Sequence, residues 1–153
     1  MNHFLFIAAP LRERTSEESA ELQLSNGLWG LCTALIRTNL QNYLEPQSRG
    51  FVYVLKVGLC AEFTIVPPPL DFSRLDEFLK DELRTEARHG FVRIEGVKRW
   101  IWSPQASQAL LSRVLNTPDQ AELTRRFALG MHRLTGGEYE AIATGIAEGI
   151  GQS

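Results

Sequence analysis

The residues that could do chemistry are the tryptophans, the histidines, the two cysteines and an uneven scatter of bases. Trp29 sits in Asn26-Gly27-Leu28-Trp29-Gly30-Leu31, with one glycine two residues before it and another directly after. Glycines leave little bulk beside a ring and reach backbone angles closed to other residues. The ring either plugs a core, as large aromatics mostly do, or walls a slot that stacks on a flat ligand such as a nucleobase. A second stretch, Lys98-Arg99-Trp100-Ile101-Trp102, interleaves bases with aromatics. Cations neutralise phosphates and rings stack on bases, which is the mixture that single-stranded or flipped-base binding uses. A solvated strand edge with two core tryptophans reads equally from the same residues, since alternation puts Trp100 and Trp102 on one face.

The charge distribution says more than the total. The chain carries a net −2, so its whole surface does not advertise nucleic acid. From Phe91 to Arg133, however, seven bases (Arg93, Lys98, Arg99, Arg113, Arg125, Arg126 and Arg133) stand against Glu95, Asp119 and Glu122, a local +4.

Signals of catalysis are missing. His3, His89 and His132 are spread out, and none pairs with a carboxylate or cysteine at ligand spacing, so no metal is expected. Cys32 and Cys60 lie far apart with apolar flanks, which reads as reduced thiols, buried and inert. A cysteine nucleophile would need a histidine in reach, and nothing in the sequence brings one. No nucleophile elbow, phosphate loop or zincin motif occurs. Gly136-Gly137 beside a helix start could offer donors to an anion, although a turn into a capped helix explains it fully. Neither an enzyme nor a cofactor is expected. Reduced thiols, the absence of a basic signal-peptide start and the absence of any window of transmembrane length point to the cytoplasm.

Length and a hydrophobic share of 44% suit one soluble domain with a real core. Phe4–Ala9 is a buried strand stopped by Pro10. Ser16 with Glu17 and Glu18 starts a helix whose spacing runs Ala20, Leu24, Leu28 and delivers Trp29. Residues 32–40 are ambiguous between helix and strand, and Leu40–Leu44 form a single turn. Phe51–Lys56 and Leu59–Val66 read as a hairpin about Val57-Gly58, ended by Pro67-Pro68-Pro69. Asp71–Arg88 is the strongest helix, with a stripe of Phe72, Leu75, Leu79 and Leu83 and with Phe78 on its shoulder. Phe91–Val97 is a further strand running into Trp102. Ser103-Pro104 and Thr117-Pro118 start two more helices, residues 127–134 are irregular, and Thr135 with Glu138 is a capping box opening a last helix. Strands and helices mix without a βαβ rhythm, which argues for α+β around a small sheet or barrel.

Several of these residues also fit a family pattern. Leu28-Trp29-Gly30-Leu31, Thr38-Asn39-Leu40, Leu44-Glu45-Pro46, Phe51-Val52-Tyr53-Val54-Leu55 and the strand ending at Pro67 are similar to the first half of an EVE domain. Gly96-Val97, Trp102-Ser103-Pro104, Arg126-Phe127, Gly130, Arg133-Leu134-Thr135 and Glu138-Tyr139 resemble its second half. The family is PUA-like and related to the YTH readers of methylated RNA. The pattern differs at Glu45-Pro46-Gln47-Ser48-Arg49-Gly50, where the family has a Pro-Gly-Asp turn.

The resemblance implies a single α+β domain over residues 1–153, a small, mostly antiparallel PUA/EVE-like pseudo-barrel flanked by helices. It implies a non-enzymatic module that binds DNA or RNA and reads a modified base through an aromatic pocket. Trp29 would form one wall and Trp100 or Trp102 the other. Thr38 and Asn39 would supply base-edge hydrogen bonds, while Arg93, Lys98, Arg99, Arg126 and Arg133 would contact phosphates. The alternative is a protein-interaction subunit that keeps the barrel without the pocket, with a protein partner or a second copy as its target.

Overall fold

The computed structural model describes residues 1–11, 13–100, 103–117, 122–123, 125 and 128–151. In chain order these form β1 (His3–Ala8), α1 (Ser16–Ser25), β2 (Leu28–Gly30), α2 (Ala34–Tyr43), β3 (Arg49–Val54), β4 (Gly58–Leu70), a 3-10 turn (Phe72–Arg74), α3 (Glu77–Glu82), β5 (Phe91–Arg99), α4 (Pro104–Val114), β6 (Met131–Leu134) and α5 (Gly136–Gly151). The strands make one sheet in the order β2-β5-β4-β3-β1-β6. Only β1 and β3 run parallel among these pairings, so the sheet is mixed but mostly antiparallel. It curls into a half-barrel flanked by helices, the α+β architecture expected.

Alternation along the strands divides the core. Phe4, Phe6, Val52, Val54, Phe63 and Ile65 point to one face, where Ala20 and Leu24 of α1 and Ile36 and Leu40 of α2 cover them. Leu5, Ile7, Phe51, Tyr53 and Leu59 point to the other, under α4 and α5. A third cluster, Leu28, Leu75, Leu79, Leu83, Ala87 and Phe91, seats α3 against β2 and β5. Each strand thus buries both faces over part of its length, which explains its apolar runs.

Local signals set most helix starts. Thr15 caps α1 with Glu18 reciprocating, Thr33 caps α2, Ser103 caps α4 with Pro104 following, and Thr135 with Glu138 forms the box before α5. The ambiguous stretch 32–40 is helical, and Leu40–Tyr43 is the last turn of α2 rather than a separate one.

Three expectations are corrected. The prolines do not end β4, which continues to Leu70. The register with β5 shifts between Val66 and Leu70, so Pro67, Pro68 and Pro69 lie in an irregular stretch where no ladder donor is required. The long helix over 71–88 is broken into the 3-10 turn and the six-residue α3. Asp76 caps α3 by accepting the Leu79 N–H at 2.9 Å, and Leu75 is extended before it. Leu75, Leu79 and Leu83 are buried as the stripe required, while Phe78 is exposed. Finally, residues 131–134 are a strand, β6, on the edge beside β1. The helix expected after Thr117-Pro118 falls largely on residues outside those described.

The N-terminal strand is held by His3. Its Nδ1 accepts the Arg49 N–H at 3.0 Å, and its ring stacks on Tyr139 of α5 with centroids 4.2 Å apart. Burial and the nearby positive charges of the N-terminus and Arg49 lower its pKa from the ordinary 6.5.

Candidate base-binding cleft

An open cleft of about 650 Å³ lies where α1 crosses the ends of β3, β4 and β5. Its floor is apolar: Ala20 and Leu24 from α1, Val54 from β3, Val57 from the hairpin turn and Leu59 from β4. The turn is tight, with the Val57 N–H bonded to the Val54 carbonyl at 2.9 Å. Trp100, directly after β5, supplies the aromatic wall, and its backbone N–H is fixed to the Cys60 carbonyl at 3.0 Å. The ring is half-buried, and its Nε1–H is buried without an acceptor among the described residues.

The rim is polar and charged. Arg99 and Glu21 form an ion pair at 3.2 Å, both roughly half-exposed, so its net stabilisation is small. Glu17, one turn earlier on α1, lines the same rim and has no partner among the described residues. Cys60 also faces the cleft, half-buried. Burial, reinforced by the Glu17 and Glu21 carboxylates, pushes its thiol up to about 11. It is therefore protonated at neutral pH and acts as an apolar wall rather than a nucleophile. Cys32, expected buried, is exposed, at the loop between β2 and α2.

The structure separates the residues singled out by sequence. Trp29 is in the core at 4% exposure, its ring packed on Phe6 and Phe63 with centroids 5.8 and 6.2 Å away. It presents no face to a ligand, which corrects its assignment as a pocket wall. The reason lies in its surroundings: aromatics from β1 and β4 converge on it, and β2 is clamped from behind. There the Gly30 N–H donates to Gln23 Oε1 at 2.7 Å, and a Cβ on Gly30 would overlap the Glu86 carbonyl. Thr38 and Asn39 lie on α2, away from the cleft lining, and the Asn39 amide donates to the Leu35 carbonyl of its own helix. Trp102 and Arg126 lie outside the described residues.

The bases scatter likewise. Arg99 pairs across the sheet with Ala61 and so lies on the α1 face, whereas Lys98 pairs with Glu62 on the opposite face, beneath Tyr139 of α5. Arg93 is exposed near the start of β5. Arg133 is on the far edge strand, its guanidinium 3.7 Å from the centre of the Tyr43 ring. Four strand spacings separate it from β5, roughly 19 Å. The α1 wall of the cleft was missed from sequence. Its signal was the Glu17, Ala20, Glu21, Leu24 face of α1, readable as helical spacing but not as a pocket lining.

No family model matches the sequence, and no curated protein matches it significantly. Among solved structures, the chain is similar to human THYN1, crystallised in complex with 5-methylcytosine-containing DNA. The TM-score is 0.57 at 17% identity, over 95% of this chain and 98% of that one.

The chain has the EVE/PUA-like fold.

This EVE/PUA-like fold is reached with Glu45-Pro46-Gln47-Ser48-Arg49-Gly50 where the family pattern has a Pro-Gly-Asp turn.

Proposed function

We propose that this EVE/PUA-like chain is a non-catalytic nucleic-acid-binding module whose α1–β4 cleft receives a base turned out of its stack. The observation that carries the reading is Trp100: a half-buried indole walling an apolar cleft whose rim carries a carboxylate, Glu17, unpaired among the described residues. That THYN1 shares the fold and was crystallised on methylcytosine-containing DNA supports the same reading. Cleft size falls in the range of small-ligand sites. The ring stacks on the base, and the Glu17 carboxylate, unpaired among the described residues, accepts from an exocyclic amine. Carboxylates take that role toward cytosine N4, so an amino-bearing base, with a modification accommodated by the apolar floor, is the expected ligand.

The test is binding of short single- and double-stranded oligonucleotides, plain or carrying methylcytosine, hydroxymethylcytosine or methyladenine, read by anisotropy and tryptophan quenching. Preference for one modification, lost in Trp100→Ala, supports the reading. Equal binding to all, unchanged in that variant, refutes the cleft.

A protein-interaction role is the second reading. The burial of Trp29 and the exposure of Leu35 and Leu129 favour it. It requires no oligonucleotide binding even at low salt.

A further inference from the structure

A base in the cleft needs its strand held, and the rim is poorly suited to that. Two carboxylates stand there against one arginine, which Glu21 already neutralises. We propose that a phosphate is seated instead in a second cavity, at the opposite end of β5, between Arg74 and Arg93. This assignment rests on the nucleic-acid reading above.

The cavity is about 290 Å³ and lies where the turn into β2 meets the 3-10 turn. Arg93 enters it from β5 and Arg74 from the last residue of the 3-10 turn. Leu75 and Phe91 contribute apolar lining, and Gly27 brings backbone close at a φ of +68°. Neither arginine has an ion pair or side-chain hydrogen bond among the described residues. Arg14, Arg37, Arg49, Arg84 and Arg99 all do. Two guanidinium groups facing one cavity repel each other, and an anion between them removes that cost. Asp76 also lines the cavity, but its carboxylate is engaged as the cap of α3. The cavity thus holds two cations against one occupied carboxylate, a net charge that one phosphodiester cancels. Guanidinium forks match phosphate oxygens in pairs, which makes arginine the suited residue.

Spacing along the strand connects the two sites. Arg93 and Arg99 are six residues apart on β5, roughly 20 Å. Arg93, flanked by the core residues Val92 and Ile94, is on the face away from α1, so a single strand held there would cross the β5 edge beyond β2 before a base several nucleotides away enters the cleft.

The experiment compares the wild-type protein with the double variant Arg74→Gln/Arg93→Gln in oligonucleotide binding across a salt series, with inorganic phosphate tested separately by thermal shift. Both side chains are exposed, so circular dichroism should show an unchanged fold. The double variant Arg74→Lys/Arg93→Lys keeps the charge and should retain most of the binding. The expected result is weaker oligonucleotide affinity and a salt slope shallower by about 0.7, the value for one phosphate on a single strand. The preference among modified bases should stay the same. An unchanged slope, with inorganic phosphate raising the melting temperature of the wild type only, would make this a free-phosphate site and overturn its assignment to the strand. Unchanged slope and no response to phosphate would overturn the site altogether. If wild-type protein binds no oligonucleotide, the reader proposal fails by itself, and the phosphate arm alone decides whether the cavity takes an anion.

Discussion

Trp29 and Trp100 occupy opposite conditions in the same half-barrel. Beside Trp29 a run of buried polar groups is answered. Gln23 is buried, accepts the Gly30 N–H and donates to the Ser19 carbonyl at 3.2 Å. Ser19 Oγ donates to Glu86 at 2.9 Å, and Arg14 donates to the same carboxylate at 3.2 Å. This chain of bonds ties α1 to β2 and to the segment after α3, and it fixes the backbone on which Trp29 sits. Trp100 packs against the cluster under α4 and α5 and also walls the open cleft, and its buried N–H has no acceptor among the described residues. The lesson is that ring size does not identify a ligand wall. Its setting does: an indole enclosed by core aromatics is scaffold, and one that walls an open cleft has surface left for binding.

That contrast can be broken most forcefully at Trp29. Trp29→Ala should destabilise the fold by about 3–5 kcal/mol, the usual cost of removing a buried large aromatic, seen as a lower urea midpoint. Full stability in that variant would remove Trp29 from the core. Trp100→Ala should do the reverse. It should leave the midpoint nearly unchanged and weaken base binding by about 1–3 kcal/mol, the typical value of a stacked ring, as measured by oligonucleotide titration. Gln23→Ala strips the Gly30 N–H of its acceptor, so a loss of about 1–3 kcal/mol is expected. The loss should be unaccompanied by a change in base preference if scaffold and cleft are separate. Should preference shift as well, the two regions are coupled.

The smallest effect concerns His3. Its folded pKa is below the unfolded value of 6.5, because burial and the nearby N-terminus and Arg49 disfavour its charged form. The unfolded chain therefore binds more protons over that window, and stability rises with pH there. Its contribution is complete above about pH 6.5 and is lost as pH falls below that value toward the folded pKa. Protonation of Nδ1 also breaks the bond from the Arg49 N–H. Urea melts at pH 7.5 and 5.5 should show the decrease, and His3→Gln should flatten it; an identical decrease in the variant would assign the dependence to other groups.

Much of the frame was legible because it is written locally. Thr135 with Glu138 and Ser103 with Pro104 state helix starts within four residues, and the β-branched runs around Val57-Gly58 state a hairpin. What was not legible depends on partners far along the chain. The stripe Leu75, Leu79, Leu83 suits a helix, yet an extended Leu75 and a cap at Asp76 bury the same residues against β2 and β5. The prolines of β4 are tolerated only because the β5 register shifts beside them. Met131–Leu134 is a strand only because β1 offers an edge. At the site, Lys98-Arg99-Trp100 pointed to the cleft end of β5, but alternation sends Lys98 and Arg99 to opposite faces, and no spacing rule names the α1 residues that complete the wall.

The position of β1 in the sheet has a further consequence. It lies between β3, about 46 residues later in the chain, and β6, about 130 residues later, as the pairs Phe4 with Gly50 and Phe4 with Arg133 show. Contacts that distant slow folding, because the intervening chain must be closed before they form. During synthesis the first strand would emerge early and find one neighbour at mid-chain, but its second edge stays open until Leu134 has left the ribosome. Between the synthesis of β1 and that of β6, then, an apolar strand with an unpaired edge is on display, and holding it apart from other chains falls to whatever shields nascent polypeptides.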